Sequence, residues 1–194
     1  MQANFIKSAA DAGGFPGDSG AEVAFVGRSN SGKSSAINRI VGHGKLARVS
    51  KTPGRTQLIN FFELGDGRRL VDLPGYGFAR VPDRVRRDWG ELADAYFQSR
   101  RSLAGLFLTV DIRRGLRDSD QTLIDLAAEL GFPVAILLTK SDKLSRGAGK
   151  NQLLDIQRSV GDDTEVIGFS AITGTGVAPA KARLLDWLGF ESAE

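Results

Sequence analysis

The chain contains no cysteine. That excludes disulfides, thiolate metal sites and a cysteine nucleophile, and it fits a reducing compartment. Histidine is nearly as scarce: His43 is the sole example and stands in a glycine-rich stretch, where a surface or packing role is the simpler reading. No apolar run approaches the roughly 20 residues that a membrane-spanning helix needs, and Met1 to Ile6 lack the basic start and long apolar core of a secretory leader. The expectation is a soluble, cytoplasmic protein with no membrane partner. A dominant charge sign is also missing, since 26 Lys and Arg face 23 Asp and Glu for a formal net charge of +3. Partners must therefore be read from where the charges lie, not from their sum. Internal repeats, low-complexity tracts and long linkers are absent as well. What remains is an ordinary globular composition, 41% hydrophobic and 25% charged over 194 residues, long enough for one well-filled core.

The most informative stretch is Gly27-Arg28-Ser29-Asn30-Ser31-Gly32-Lys33-Ser34, which matches the phosphate-loop pattern G-x-x-x-x-G-K-[ST] and follows the apolar run Val23 to Val26. Glycines let backbone amides turn toward phosphate without a Cβ in the way, Lys33 supplies a point charge for the outer phosphates, and the Ser34 hydroxyl suits Mg2+. The expected ligand is a nucleoside triphosphate.

Periodicity supplies the setting. Residues 22–27 read as a strand feeding this loop, and 33–41 as the helix after it, with Ile37, Ile40 and Val41 on one face. Strands at 58–64 and 68–73, joined through Gly65-Asp66-Gly67, read as a hairpin. The pattern then predicts helix 83–101, strand 103–110, helix 118–130, strand 134–138, helix 149–160, strand 165–169 and helix 177–188. The expected fold is α/β: a six-stranded, mostly parallel sheet whose second strand is antiparallel, with helices on both faces and ligand loops at the carboxyl ends of the parallel strands. Residues 1–21 are expected to be an N-terminal extension, with 12–20 too rich in turn formers for a regular element, ahead of a single nucleotide-binding domain over 22–190.

Further motifs fall where such a site needs them. Asp72-Leu73-Pro74-Gly75 closes the third strand, where an acidic group can face Mg2+ and a glycine amide the terminal phosphate, although by itself it also reads as a turn. Thr139-Lys140-Ser141-Asp142 follows the fifth strand, where a base-binding loop would sit beside the phosphates. A carboxylate there accepts two N–H groups from guanine, whereas adenine presents an unprotonated ring nitrogen that leaves it unsatisfied, so Asp142 selects GTP over ATP. Phe169 ends the last strand, and Ser170-Ala171, which follow it, can offer backbone amides to the guanine carbonyl.

The order of phosphate loop, threonine-bearing loop, D-x-x-G, T-K-x-D and S-A resembles the translation-factor-like GTPases across almost the whole chain. More narrowly, Ser50-Lys51-Thr52-Pro53-Gly54-Arg55-Thr56-Gln57-Leu58-Ile59-Asn60-Phe61-Phe62, together with Asp72-Leu73-Pro74-Gly75-Tyr76-Gly77-Phe78-Ala79, is similar to the EngB (YihA/YsxC) family of bacterial GTPases. The resemblance implies a Ras-like P-loop GTPase fold, a role in assembly of the large ribosomal subunit, and an association with normal cell division and septation. It also implies that Thr56 completes Mg2+ coordination beside Ser34 in the GTP state, with Thr52 a nearby competitor, that Asp72 acts on the metal through water, and that Gly54, Arg55, Gln57 and Leu58 line the nucleotide with Thr56. Thr139 stands where asparagine is usual, so guanine selection rests mainly on Asp142.

Hydrolysis has an unusual feature. Many small GTPases place a water-orienting glutamine directly after D-x-x-G, but here the residue is Tyr76, so slow intrinsic turnover is expected. Related GTPases with an asparagine in the phosphate loop use bound K+ to supply positive charge, and Asn30 sits at the matching position; it can equally just shape the loop. Arg28 and Arg55 are competing sources of charge. The expected catalytic set is Lys33, Asn30, Thr56 and Gly75, with loss of the γ-phosphate loosening 45–57 and 74–87 as an order–disorder switch. Arg80, Arg84, Arg86 and Arg87, followed by Trp89, and the pairs Arg100-Arg101 and Arg113-Arg114 offer basic surface for RNA, although Asp83, Asp88, Glu91 and Asp94 interleave and can make a merely solvated helix face. Trp187 with Leu184, Leu185 and Leu188 reads as the docking face of the last helix. No apolar stripe is left over, so a monomer is expected. Two alternatives stay open: an ATP-using kinase or ATPase, and a guanine-nucleotide-dependent binding module of the division machinery with little turnover.

Overall fold

The structure, a computed structural model, describes residues 2–44, 46–47, 58–76 and 83–190, the side chains of 83–89 excepted. Among these residues seven strands form one sheet in the order β1-β3-β4-β2-β5-β6-β7. They are β1 (Asn4–Ala9), β2 (Ala21–Gly27), β3 (Ile59–Gly65), β4 (Arg68–Asp72), β5 (Leu103–Asp111), β6 (Val134–Thr139) and β7 (Glu165–Gly168). The helices are α1 (Lys33–Val41), α2 (Asp83–Ser99), α3 (Asp118–Leu130), α4 (Arg146–Val160) and α5 (Val177–Trp187). Only β3 runs against the rest of the sheet, since it pairs antiparallel with both β1 and β4 while the other pairings are parallel.

The central strands are apolar almost throughout because both faces of the sheet are covered. Along β2, Ala24 and Val26 point to the side of α2, α3 and α4, where they join Leu106, Leu108, Tyr96, Leu123 and Ile156. Val23 and Phe25 point the other way, toward Ile37 and Ile40 of α1 and Ala180 and Leu184 of α5. This two-residue alternation inside a continuous apolar run builds two cores from one strand. Trp187 packs its ring, tilted by 51°, 5.0 Å from that of Phe107, as expected for the docking face of the last helix.

The seventh strand was not expected from sequence. Residues 4–9 pair with β3, with Phe5 opposite Phe62 and Ser8 opposite Asn60, so part of the N-terminal extension is sheet. Five of its six residues are exposed, which removes the hydrophobic alternation that would reveal it. The following segment is held down at the amino-terminal edge of the sheet. Glu22 is wholly buried and accepts hydrogen bonds from Arg69 at 3.1 Å, from the Tyr96 hydroxyl at 3.0 Å and from Arg100. Arg100 also donates to the Pro16 carbonyl at 2.8 Å, and Asp18 accepts from the Ser102 hydroxyl at 2.6 Å. Arg100 is therefore not a surface charge, contrary to its expected place in a basic patch: it is 8% exposed and neutralises Glu22.

Candidate functional site

Parallel pairing brings the carboxyl ends of β2, β4, β5 and β6 to one edge. Phe25 stands opposite Asp72, Gly27 opposite Thr109, and Asp111 opposite Thr139. At Gly27 a side chain is impossible, because a Cβ would lie 2.1 Å from the Thr109 hydroxyl and 2.6 Å from its carbonyl. The loop then turns on itself: the Ser31 amide donates to the Arg28 carbonyl at 2.9 Å. Thr109 donates to the Val26 carbonyl at 3.1 Å, so the proton in its 2.7 Å contact with Ser31 comes from the Ser31 hydroxyl. Gly32, at φ 97°, delivers the chain to α1 in a left-handed conformation. No side chain caps α1, so its leading amides and the positive end of its dipole are directed at the loop, an arrangement suited to phosphate.

Asp72 and Lys33 meet at this point. The Lys33 ammonium donates to an Asp72 carboxylate oxygen, both groups being largely buried. Beyond Asp72 the D-x-x-G segment is laced to the phosphate loop: Leu73 N–H donates to the Phe25 carbonyl at 3.0 Å, Tyr76 N–H to the Gly27 carbonyl at 3.2 Å, and Ser29 N–H to the Tyr76 carbonyl at 2.9 Å. Gly75 and buried Pro74 lie within this lacing, beside the loop that α1 follows. Tyr76 itself turns inward. Its ring belongs to the core on the α3 side, and its hydroxyl donates to the buried Asp120 carboxylate. Burial, and the Asp120 charge beside it, push the Tyr76 hydroxyl far above the ordinary tyrosine range, so it stays protonated.

The second half of the site gathers at β6 and β7. Asp142 accepts from the Ser170 hydroxyl at 2.7 Å, while Ser170 Oγ accepts the Ile172 and Thr173 amides at 3.3 and 3.2 Å. The Ser170 hydroxyl holds the Asp142 carboxyl below the usual range, leaving a fixed anion that can accept two N–H groups. Ser141 N–H donates to the Phe169 carbonyl at 3.1 Å, joining the two loops. Thr139, expected near the base, instead faces the phosphate loop: it is buried and shares its hydroxyl proton between the Ser31 and Val110 carbonyls. The Lys140 ammonium bridges to the Asn30 carbonyl at 2.6 Å and to Asp111 at 3.0 Å.

Asp111 and Asp120 escaped the sequence reading. Asp111 ends β5, is 4% exposed, and accepts from Arg113 Nε at 2.9 Å and Arg113 Nη2 at 2.7 Å besides Lys140. Those partners, Arg113 foremost, hold its carboxyl well below the usual range. A carboxylate closing an otherwise apolar strand at the carboxyl edge was the available signal. Among the remaining expected residues, Arg28, Ser29 and Ser34 are half-buried and Asn30 exposed on the loop, while Leu58 and Ala171 are half-buried. Gly54, Arg55, Thr56 and Gln57, with Thr52 and Arg80, lie outside the described residues, as do the side chains of Arg84, Arg86, Arg87 and Trp89.

The oxygen-only candidate set of Ser34, Thr56 and Asp72 suits a hard divalent cation such as Mg2+. Comparisons with known proteins agree with this chemistry. A family model described as 50S ribosome-binding GTPase matches residues 22–140. The chain is 49% identical over 194 residues to a protein named probable GTP-binding protein EngB from Coxiella burnetii (strain RSA 331 / Henzerling II), covering 98% of this chain and 95% of the relative. It is 50% identical over 196 residues to the protein of the same name from Azoarcus sp. (strain BH72), covering 99% and 94%. Among solved structures, a probable GTP-binding protein engB superposes with a TM-score of 0.66 at 26% identity, covering 87% of this chain and 99% of that one. Era in complex with MgGDPNP and a 16S ribosomal RNA segment superposes with a TM-score of 0.65 at 22% identity, covering 90% and 58%, and speaks for the fold alone. Identity near one half over almost the full length places the chain: it belongs to the EngB family of P-loop GTPases, enzymes that hydrolyse GTP.

Proposed function

We propose that this protein is a cytoplasmic, monomeric GTP switch that acts in assembly of the large ribosomal subunit, supports normal cell division, and hydrolyses GTP slowly with stimulation by potassium. The observation that carries the switch is the junction of the two phosphate-facing elements: Lys33, at the head of the uncapped helix, is paired with Asp72 at the end of β4. An ammonium already balanced by a carboxylate can exchange that partner for the β- and γ-phosphates, which frees Asp72 to act through water on the metal. Ser34 and Thr56 are the direct Mg2+ ligands in this reading, and the bound ion supplies charge neutralisation at the phosphates. The Gly75 amide faces the terminal phosphate, so contacts at Gly75 and Thr56 depend on its presence.

Guanine is read by Asp142, with Ser170 and Ala171 beside it. The bond from Ser170 fixes one Asp142 oxygen, which restricts the carboxylate to one orientation and lowers the ordering cost on binding. Asn30 supplies the potassium ligand; its left-handed backbone, φ 64°, sets an exposed amide on the loop's rim. With the Tyr76 hydroxyl engaged by Asp120, no glutamine-like side chain at that position orients water, and K+ supplies part of the missing charge stabilisation. The ribosomal half of the reading is supported by the family model's description. The test is turnover of GTP and of ATP by the purified chain in KCl and in NaCl. The expected outcome is GTP hydrolysis at least tenfold faster in KCl, lost in Asn30→Ala, with no ATP hydrolysis. Equal rates in the two salts would remove the potassium role, and equal rates for the two nucleotides would remove the guanine reading.

A further inference from the structure

Tyr76 directly follows Gly75, the glycine that closes the D-x-x-G segment, and it is held on both sides. Its backbone forms an isolated parallel bridge with Arg28, with N–H to the Gly27 carbonyl at 3.2 Å and its own carbonyl receiving Ser29 N–H at 2.9 Å. The Ser29 hydroxyl adds a second bond to that carbonyl at 3.3 Å. On the other side the phenol hydroxyl donates to Asp120 Oδ1. Asp120 is wholly buried in the first turn of α3, and its second oxygen accepts the Arg117 amide at 2.8 Å. Each oxygen of that carboxylate is therefore engaged, one by a backbone N–H and the other by a hydroxyl, at the favourable end of the helix dipole. It also borders the cleft beneath the phosphate loop, whose wall includes Arg28, Ser29 and Asn30.

We propose that Tyr76 is a positioning residue, which through its bond to Asp120 fastens the D-x-x-G segment to α3 and so holds the Gly75 amide at a set place beside the phosphate loop. The proposal rests on nucleotide occupying that loop. Its physical basis is that Gly75 has no side chain of its own to anchor it, so its placement depends on the rungs at Leu73 and Tyr76. The backbone bonds fix Tyr76 against the loop, while the hydroxyl bond fixes it against a second, independent element. A hydrogen bond to a buried charge is among the stronger ones available to a neutral donor. Loss of this bond leaves the ring packed but lets the amide wander, which matters most in the transition state, where charge builds on the γ-phosphate oxygens. GDP, which lacks that phosphate, should not sense the change.

Single-turnover GTP hydrolysis, GDP affinity and thermal unfolding of the full chain test this in Tyr76→Phe, Asp120→Ala and the double variant, with Asp120→Asn as a second route if the alanine does not fold. Tyr76→Phe keeps the ring in the core and is expected to fold. The hydrolysis rate constant should fall about tenfold in each single variant, with GDP affinity changed less than about twofold, and the double variant should be no slower than either single one. A Tyr76→Phe protein with the wild-type rate, a parallel loss of rate and GDP affinity, or effects that multiply in the double variant would each overturn the proposal. A wild-type chain that fails to bind GDP would instead overturn the nucleotide reading on which it stands, and the wild-type arm alone reveals that.

Discussion

Asp142 shows how much a single residue type at a single place conveys. The T-K-x-D pattern singled it out in sequence because a carboxylate after a parallel strand beside a phosphate loop can pair with the two N–H groups of guanine. The structure adds the Ser170 hydroxyl at 2.7 Å that orients it. Replacement by asparagine keeps the shape but turns one acceptor into a donor. Asp142→Asn is expected to lose at least about 100-fold in GDP affinity, through loss of a charge-assisted bond and a donor facing a donor, and to prefer the diphosphate of xanthosine, whose C2 carbonyl accepts that new donor. Titration with both nucleotides checks it; unchanged GDP affinity would place the base elsewhere. Thr139 teaches the opposite lesson. Its position was legible, but its function was not, because only the folded chain shows its hydroxyl turned to the Ser31 and Val110 carbonyls. Tyr76 likewise was read only as the residue that stands where a water-orienting glutamine is usual, and its partner, Asp120, lies in a helix reached only after α2 and β5.

Elements were legible where their burial is uniform. The strands β2, β5 and β6 carry apolar residues on both faces, and Lys33–Val41 was expected at 33–41 and found there because a glycine marks each end. β1 was missed because an exposed edge strand owes its existence to a partner, β3, that lies some fifty residues downstream. The end of α2 shows the same limitation for charge. Arg100 in sequence is one more arginine in a basic run; in the fold, just past the end of α2, it closes a buried pair with Glu22, whose other partners include Tyr96 of α2. Removing one partner strands the other charge in the interior. Arg100→Ala is expected to cost about 3 to 5 kcal/mol, read as a loss in urea or thermal unfolding, with GDP affinity unaffected because the cluster lies at the opposite edge of the sheet. A loss below about 1 kcal/mol would contradict a stranded buried charge at Glu22.

At the scale of the whole molecule, the parallel sheet separates two kinds of polar chemistry. Its amino-terminal edge carries a closed structural network in which Glu22, Arg69, Arg100 and Asp18 satisfy one another. Its carboxyl edge carries Lys33, Asp72, Asp111, Lys140 and Asp142, a set of charges that a nucleotide can reorganise. The division follows from topology, since parallel strands deliver all their trailing loops to one side, and it was foreseeable once the alternation of strands and helices was read. The proposed ribosomal partner was not foreseeable from residue chemistry: with Arg100 buried and Arg113 engaged by Asp111, the described basic surface is thinner than its sequence suggests. That assignment comes from family membership. The most direct measurement of the central claim is therefore cosedimentation of the purified protein with large ribosomal subunits, run with GDP, with a non-hydrolysable GTP analogue, with the matching ATP analogue and without nucleotide. Binding promoted by the GTP analogue alone is the expected result; binding that ignores the γ-phosphate, or no binding in any state, would contradict the account of a GTP switch acting on the ribosome.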